Sequence, residues 1–93
     1  MTMTKVKLFA NLRETAGTTE VEVSGDCISE ILDGLVKEHP ALKELIFEDN
    51  NQIELRGYIN VLINGDNVQH LKGLETAVNL GDEIAIFPPV SGG

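Results

Sequence analysis

The residues with the most chemistry in this 93-residue chain stand at its end, Pro88-Pro89-Val90-Ser91-Gly92-Gly93. A terminal glycine carries no side chain, so its carboxylate is thin enough to enter another protein's active site through a narrow tunnel. Two glycines in a row let the backbone take up any φ that such a site demands. Pro88 and Pro89 fix φ and lack N–H donors, which ends a preceding strand and holds the tail extended away from the body. At average usage of about 5% Pro and 7% Gly, these four residues at these positions arise by chance roughly once in a hundred thousand. The alternative, a frayed end of small residues, leaves that arrangement to coincidence.

A carboxylate is a poor electrophile because oxide is a poor leaving group. For the Gly93 carbonyl to be transferred, a partner must first convert it to an acyl-adenylate with ATP. Attack by a sulfur donor then gives a thiocarboxylate, and attack by a lysine amine of another protein gives an isopeptide bond. The chain offers no nucleophile, base or phosphate loop for this activation, so those groups are expected in trans and the chain is not expected to be an enzyme. No residue follows Gly93, so the tail is expected to be ready as translated. No cofactor is expected to be permanently bound, ATP being consumed by the activating partner.

Other reactive side chains are few. The single cysteine, Cys27, cannot close an internal disulfide or assemble a metal cluster, so no metal site is expected and the fold is expected to rest on packing in a reducing compartment. A thiol at a helix N-terminus can be reactive, yet nothing else in the sequence requires a nucleophile, and Cys27 reads as a packing residue. His39 and His70 lie far apart without a partner ligand and read as surface histidines. Arg13 reads equally as a partner contact or as half of a local ion pair. Lys5, Lys7, Lys37, Lys43 and Lys72 could each accept the tail of another copy, and sequence alone does not choose among them.

Composition narrows the partners. Seven Lys and Arg against 15 Asp and Glu give a net charge of −8, which repels phosphate backbones, and no basic run offsets it locally. Nucleic acid is therefore not expected as a partner. No stretch reaches the length of a membrane span, and Met1 to Lys5 runs into a strand pattern without the features of a signal peptide. A cytoplasmic monomer is expected.

The elements that position the tail follow from hydrophobic period. Lys5 to Ala10 alternates, with Val6, Leu8 and Ala10 on one face and Lys5, Lys7 and Phe9 on the other. Thr19 to Val23 turns Val21 and Val23 inward and sets Glu20 and Glu22 opposite Lys5 and Lys7 in an antiparallel pair. Asn11 to Thr18 reads as the connecting loop. Ile28, Ile31, Leu32, Leu35 and Val36 form the stripe of the one long helix, capped by Asp26 or Cys27 and ended by His39-Pro40. Gly34 weakens its interior by up to about 1 kcal/mol. Leu42, Leu45 and Ile46 allow one or two more turns before the polar loop Glu48 to Gln52. Tyr58 to Ile63 reads as a strand, Asn64-Gly65 as a type I′ turn into a short strand over Asn67 to Gln69, and Glu83 to Phe87 as the last strand after the Leu80-Gly81-Asp82 turn.

One long helix laid across a mixed sheet whose first and last strands are parallel neighbours buries every inward position named above. This is an α+β domain of β-grasp type over residues 1–87, with a reactive tail at 88–93. In such a sheet Phe9, Leu62, Ala85 and Phe87 alternate to the face opposite the helix. They are expected to form an apolar, partner-binding patch beside the tail, unless loops cover it.

The ending Ile86 to Gly93 resembles the C-terminus of the MoaD family of ubiquitin-like proteins. Lys7-Leu8-Phe9-Ala10-Asn11-Leu12-Arg13-Glu14 resembles the family's first strand and following loop, and Leu80 to Ile86 its final turn and strand. The likeness spans nearly the whole chain. Members are sulfur carriers for molybdopterin synthesis, and close relatives include thiamine sulfur carriers and small archaeal modifier proteins, which attach to lysines as ubiquitin does. The segment Phe47 to Gly57, longer than in the usual bacterial molybdopterin-synthase small subunit, is more like the archaeal branch. The resemblance implies activation at Gly93 by a ubiquitin-activating-enzyme-like adenylyltransferase and transfer to target lysines, with a thiocarboxylate as a second product. One alternative is a dedicated sulfur carrier whose tail enters a molybdopterin-synthase large subunit. Another, from a different class, is a non-covalent interaction module working through the Phe9 and Phe87 face.

Overall fold

The computed structural model describes residues 3–48, 55 and 59–87. The tail, Pro88 to Gly93, lies outside the described residues, as do Asp49 to Gln52 of the polar loop and Tyr58. The elements in chain order are β1 (Met3–Leu8), α1 (Ala10–Ala16), β2 (Glu20–Ser24), α2 (Ile28–Glu38), α3 (Lys43–Ile46), β3 (Asn60–Ile63), β4 (Asp66–Asn67) and β5 (Glu83–Phe87). Short 3₁₀ turns occupy Pro40–Leu42, Val68–His70 and Gly73–Glu75.

The five strands form one sheet in the order β2-β1-β5-β3-β4. β1 pairs antiparallel with β2 and parallel with β5, so Val6 meets Val21 on one side and Ile84 on the other. β5 also pairs antiparallel with β3, placing Val61 against Ile86 and Ile63 against Ile84. These inward residues are buried, and α2 covers them with Ile28, Ile31, Leu32, Leu35 and Val36, the stripe read from the sequence. Leu42 and Ile46 are buried in the same core. Phe47, also buried, pairs with Leu55 in an isolated antiparallel bridge.

Three expectations are corrected. Ala10 does not continue β1 inward; it is exposed with φ 52, and the chain turns there into α1. Asn11 to Thr18 is accordingly not a loop, since most of it is the helix α1, which places Leu12 in the core with no exposed surface and ends at Gly17 in the left-handed region. One buried apolar residue in seven gives too weak a period to read. The short strand after the type I′ turn covers only Asp66–Asn67, because the Asn67 side chain accepts a hydrogen bond from the Gln69 N–H and caps the 3₁₀ turn that follows. The turn itself is as read, with positive φ at both Asn64 and Gly65.

Cys27 rather than Asp26 is the N-cap of α2, and neither supplies a side-chain cap; instead the Asp26 N–H donates to Glu30 Oε1 at 2.7 Å. Gly34 has a packing reason that propensity does not reveal. A Cβ at Gly34 would lie 2.5 Å from Val23 Cγ1, so this glycine lets α2 approach β2 closely. Overpacking costs about 1–3 kcal/mol, more than the helix propensity of alanine, up to about 1 kcal/mol, returns. Gly34→Ala is therefore expected to lower stability by about 1–2 kcal/mol in urea unfolding. On a Val23→Ala background it is expected to be neutral or stabilising; simple additivity of the two substitutions would reject the contact.

A polar clamp joins the β3–β4 turn to the start of β5. Asn64 donates from its backbone N–H to the Glu83 carbonyl at 2.8 Å, and Glu83 returns its N–H to Asn64 Oδ1 at 3.0 Å. Asp82 accepts from the Asn79 N–H at 2.8 Å and from Asn64 Nδ2 at 2.9 Å, and these bonds to its charged form hold its pKa below the ordinary value, the Asn79 bond being the larger cause. A depressed carboxyl contributes stability that is present at neutral pH and lost as pH falls below about 4 toward the folded-state pKa. Asp82→Asn is expected to lower stability at pH 7 and to reduce the loss over that acid range. An acid limb identical to that of the parent protein would show that the clamp contributes nothing.

Candidate functional site

The sheet face opposite α2 carries the site. Phe9 follows directly on β1 and Phe87 is the last residue of β5, and the parallel pairing of those strands brings their rings together. The ring centroids lie 4.4 Å apart at an interplanar angle of 11°, a stacked pair worth about 0.5–1.5 kcal/mol beyond its burial. One residue pair further back, Leu62 and Ala85 stand opposite each other across β3 and β5, and Lys7 lies on the other side of Ala85. All four apolar residues expected in the patch therefore come together. Each is half-buried, and with Lys7, Asn64, Gly65 and Glu83 they line a shallow depression of about 310 Å³.

Charge surrounds the patch. Lys7 Nζ is 3.5 Å from Glu83 Oε1, diagonal to the β1–β5 register that sets Lys5 opposite Glu83, and Lys5 Nζ is 3.9 Å from Glu20 Oε2, diagonal to the β1–β2 register that sets Lys5 opposite Glu22 and Lys7 opposite Glu20. These exposed pairs contribute little to stability, but they confine the apolar surface to a strip ending at Phe87. Lys7 and Glu83 were not singled out as site residues from sequence. The signal was present, because both fall on the same alternation as Phe9 and Ala85.

The remaining candidates disperse. Cys27 is half-buried and pairs as an isolated bridge with Ala77, flanked by hydrogen bonds from the Ile28 N–H to the Thr76 carbonyl and from the Val78 N–H to the Asp26 carbonyl. It packs a loop onto the start of α2. His39 is half-buried at the end of α2, where its backbone N–H donates to the Leu35 carbonyl, and His70 is exposed at the end of the 3₁₀ turn Val68–His70. Arg13 is exposed and forms no ion pair among the described residues. No group of three His, Cys, Asp or Glu among the described residues is arranged to hold a metal ion, and no helix among them is long and apolar enough to cross a membrane. Gly92, Gly93, Pro88, Pro89, Val90 and Ser91 lie outside the described residues.

A larger depression, about 550 Å³, opens at the other end of the parallel strands between Thr4, Ser24, Asp26, Glu30, Asn79 and Leu80. Size does not make it the site. Its lining is mostly polar, and among the described residues no buried side-chain nitrogen or oxygen lacks a hydrogen-bond partner that a ligand would supply.

Known proteins agree with this architecture. Residues 6–93 match the ThiS family. Small archaeal modifier protein 1 of Haloferax volcanii is 49% identical over 90 residues, which cover 94% of this chain and 97% of that protein. The molybdopterin synthase sulfur carrier subunit of Haemophilus influenzae is 39% identical over 92 residues, covering 98% of this chain and 100% of its own. The solution structure of small archaeal modifier protein 1 from Methanosarcina acetivorans superposes with a TM-score of 0.88 at 52% identity, covering 100% of this chain and 98% of that one. With its β-grasp fold and a family match that runs from β1 to the last glycine, the chain belongs to the ThiS/MoaD family of ubiquitin-like small modifiers and sulfur carriers.

Proposed function

We propose that this protein is a ubiquitin-like modifier whose Gly93 is adenylated by an ATP-dependent activating enzyme and transferred to lysines of target proteins. The observation that carries the reading is the double position of Phe87. It is the last residue of β5, a wall of the apolar patch through its stack on Phe9, and the residue directly before Pro88. An enzyme that docks on the patch thereby receives the tail at a fixed starting point. Gly92 and Gly93 offer no side-chain bulk to a narrow active site, and a proline at each of positions 88 and 89 restricts φ and removes an N–H donor. The 49% identity to small archaeal modifier protein 1 supports a modifier role.

A second reading has its own support in the identity to a molybdopterin synthase sulfur carrier subunit. In it the adenylate is attacked by a sulfur donor, the thiocarboxylate tail enters a molybdopterin-synthase large subunit, and the carboxylate is regenerated. Both readings share the activation step and differ in the second nucleophile.

A tagged copy expressed in a close relative of its natural host separates them, with a copy lacking Gly92 and Gly93 as control. Heavier species that require the two glycines, with the tail mapped to target lysines, are expected. Free protein in which one terminal oxygen is replaced by labelled sulfur, with no heavier species, would instead make it a dedicated carrier. A truncated copy that retains full function would overturn both and leave a non-covalent module.

The docking role of the patch has a separate test. Phe87→Asp is expected to raise the activating enzyme's KM for this protein by about tenfold or more, the scale of a central aromatic contact, while the domain stays folded by circular dichroism. Unchanged adenylation kinetics in that variant would reject docking on this face.

A further inference from the structure

The five lysines that sequence leaves equivalent are unlike one another in the fold. Lys5 and Lys7 project from the open face, where Lys7 lines the apolar depression and both are held in ion pairs. A protein joined at either would lie across the proposed docking face. Lys37 pairs with Asp33 at 3.1 Å along a regular helix and is followed by Glu38. Lys43 starts α3 half-buried with Glu44 beside it.

Lys72 differs on each count. It is exposed, makes no ion pair among the described residues, and lies between the 3₁₀ turns Val68–His70 and Gly73–Glu75. Its backbone is anchored, the Lys72 N–H donating to Thr76 Oγ1 at 3.1 Å and the Lys72 carbonyl accepting from the Glu75 N–H at 3.1 Å, so the exposed side chain projects from a fixed turn. The nearest carboxylates in sequence, Asp66 and Glu75, form no ion pair with it. The turn after Lys72 packs against α2, in the layer on the other side of the sheet from the patch.

We propose that Lys72 is the acceptor for the tail of a second copy of this chain, an inference that rests on the modifier reading above. The Lys72 ammonium gives a proton to water, and the free amine attacks the Gly93 carbonyl of the second copy's acyl-adenylate. The new C–N bond forms as the C–O bond to phosphate breaks, AMP leaves with that electron pair, and the nitrogen gives its second proton to water; no oxidant or reductant is needed. The accepting copy keeps its patch uncovered and its own Gly93 unmodified, so it can itself be activated and attached to a target.

The test compares tagged wild-type protein, Lys72→Arg, a variant with Lys5, Lys7, Lys37 and Lys43 all changed to Arg, and the copy lacking Gly92 and Gly93. A species of twice the mass is expected in the wild type and in the fourfold variant, and is expected to be lost in Lys72→Arg and in the truncation. Because no Lys or Arg follows Lys72, trypsin would leave Gly73 to Gly93 of the donor attached to Lys72 of the acceptor. Persistence of the double species in Lys72→Arg, with that remnant on another lysine, would overturn the assignment. Conjugates to other proteins without any double species would overturn self-attachment and leave the modifier reading standing. Absence of every glycine-dependent conjugate would overturn both.

Discussion

The parallel contact between β1 and β5 at the centre of the sheet is the constraint on which the rest of this molecule depends. Parallel strands cannot be joined by a hairpin, so everything between them has to cross over, and here almost the whole chain does so. The closure is stabilised by the burial of Val6, Leu8, Ile84 and Ile86 beneath α2, four side chains drawn from the two ends of the sequence. At roughly 1.5–3 kcal/mol for each fully buried aliphatic side chain, this cluster supplies the favourable energy that offsets the entropy of closing so long a loop. The same contact sets Phe9 against Phe87, because each follows the inward pair Leu8 and Ile86 by one residue.

That single-residue offset gives the sheet two different faces. Inward positions are aliphatic apart from Thr4 at the start of β1, whereas outward ones run from charged pairs at the β2 side to an apolar strip between β1, β5 and β3. Lys5 and Lys7, set against Glu20, Glu22 and Glu83, keep most of the open face hydrated and leave only the strip around Phe9, Leu62, Ala85 and Phe87 able to exclude water. An acidic chain with one such strip presents a defined contact surface instead of a generally adhesive one.

Most of this was legible in the sequence, and the exceptions have physical reasons. The period-2 strands at Val6-Leu8, Val21-Val23 and Ile84-Ile86 and the 3.6-period stripe of α2 are strong because each places every second, or every third and fourth, residue in the core. Leu12 is the one buried residue of α1 and Ala16 alone packs partly against the core beside it, too little to set a period, so that helix reads as a loop. Ala10 looked like the next inward residue, but a left-handed backbone turns the chain there, and nothing about alanine announces that conformation. The patch was legible because the alternation that buries Ile86 must expose Phe87. The Asn64-Asp82-Glu83 clamp was not, since it joins residues far apart in sequence whose types, Asn and Asp next to Gly, signal only turns.

The clamp also bears on how β5 reaches its last residue in register. A slip of one residue in β5 would turn Phe87 into the core and Ile86 outward, exchanging both faces at once. Hydrophobic burial alone resists this weakly at the strand's end, where Phe and Ile are both apolar and either side could accept them. The paired hydrogen bonds between Asn64 and Glu83 fix the register at the first residue of β5, and the Asp82 carboxylate ties Asn64 to the turn before it. From that anchored start, five extended residues carry the alternation without ambiguity to Phe87, its ring against Phe9 and its carbonyl joined to Pro88. The polar clamp at one end of β5 thus determines, through strand geometry alone, which face Phe87 takes at the other, where the chain passes on to Pro88.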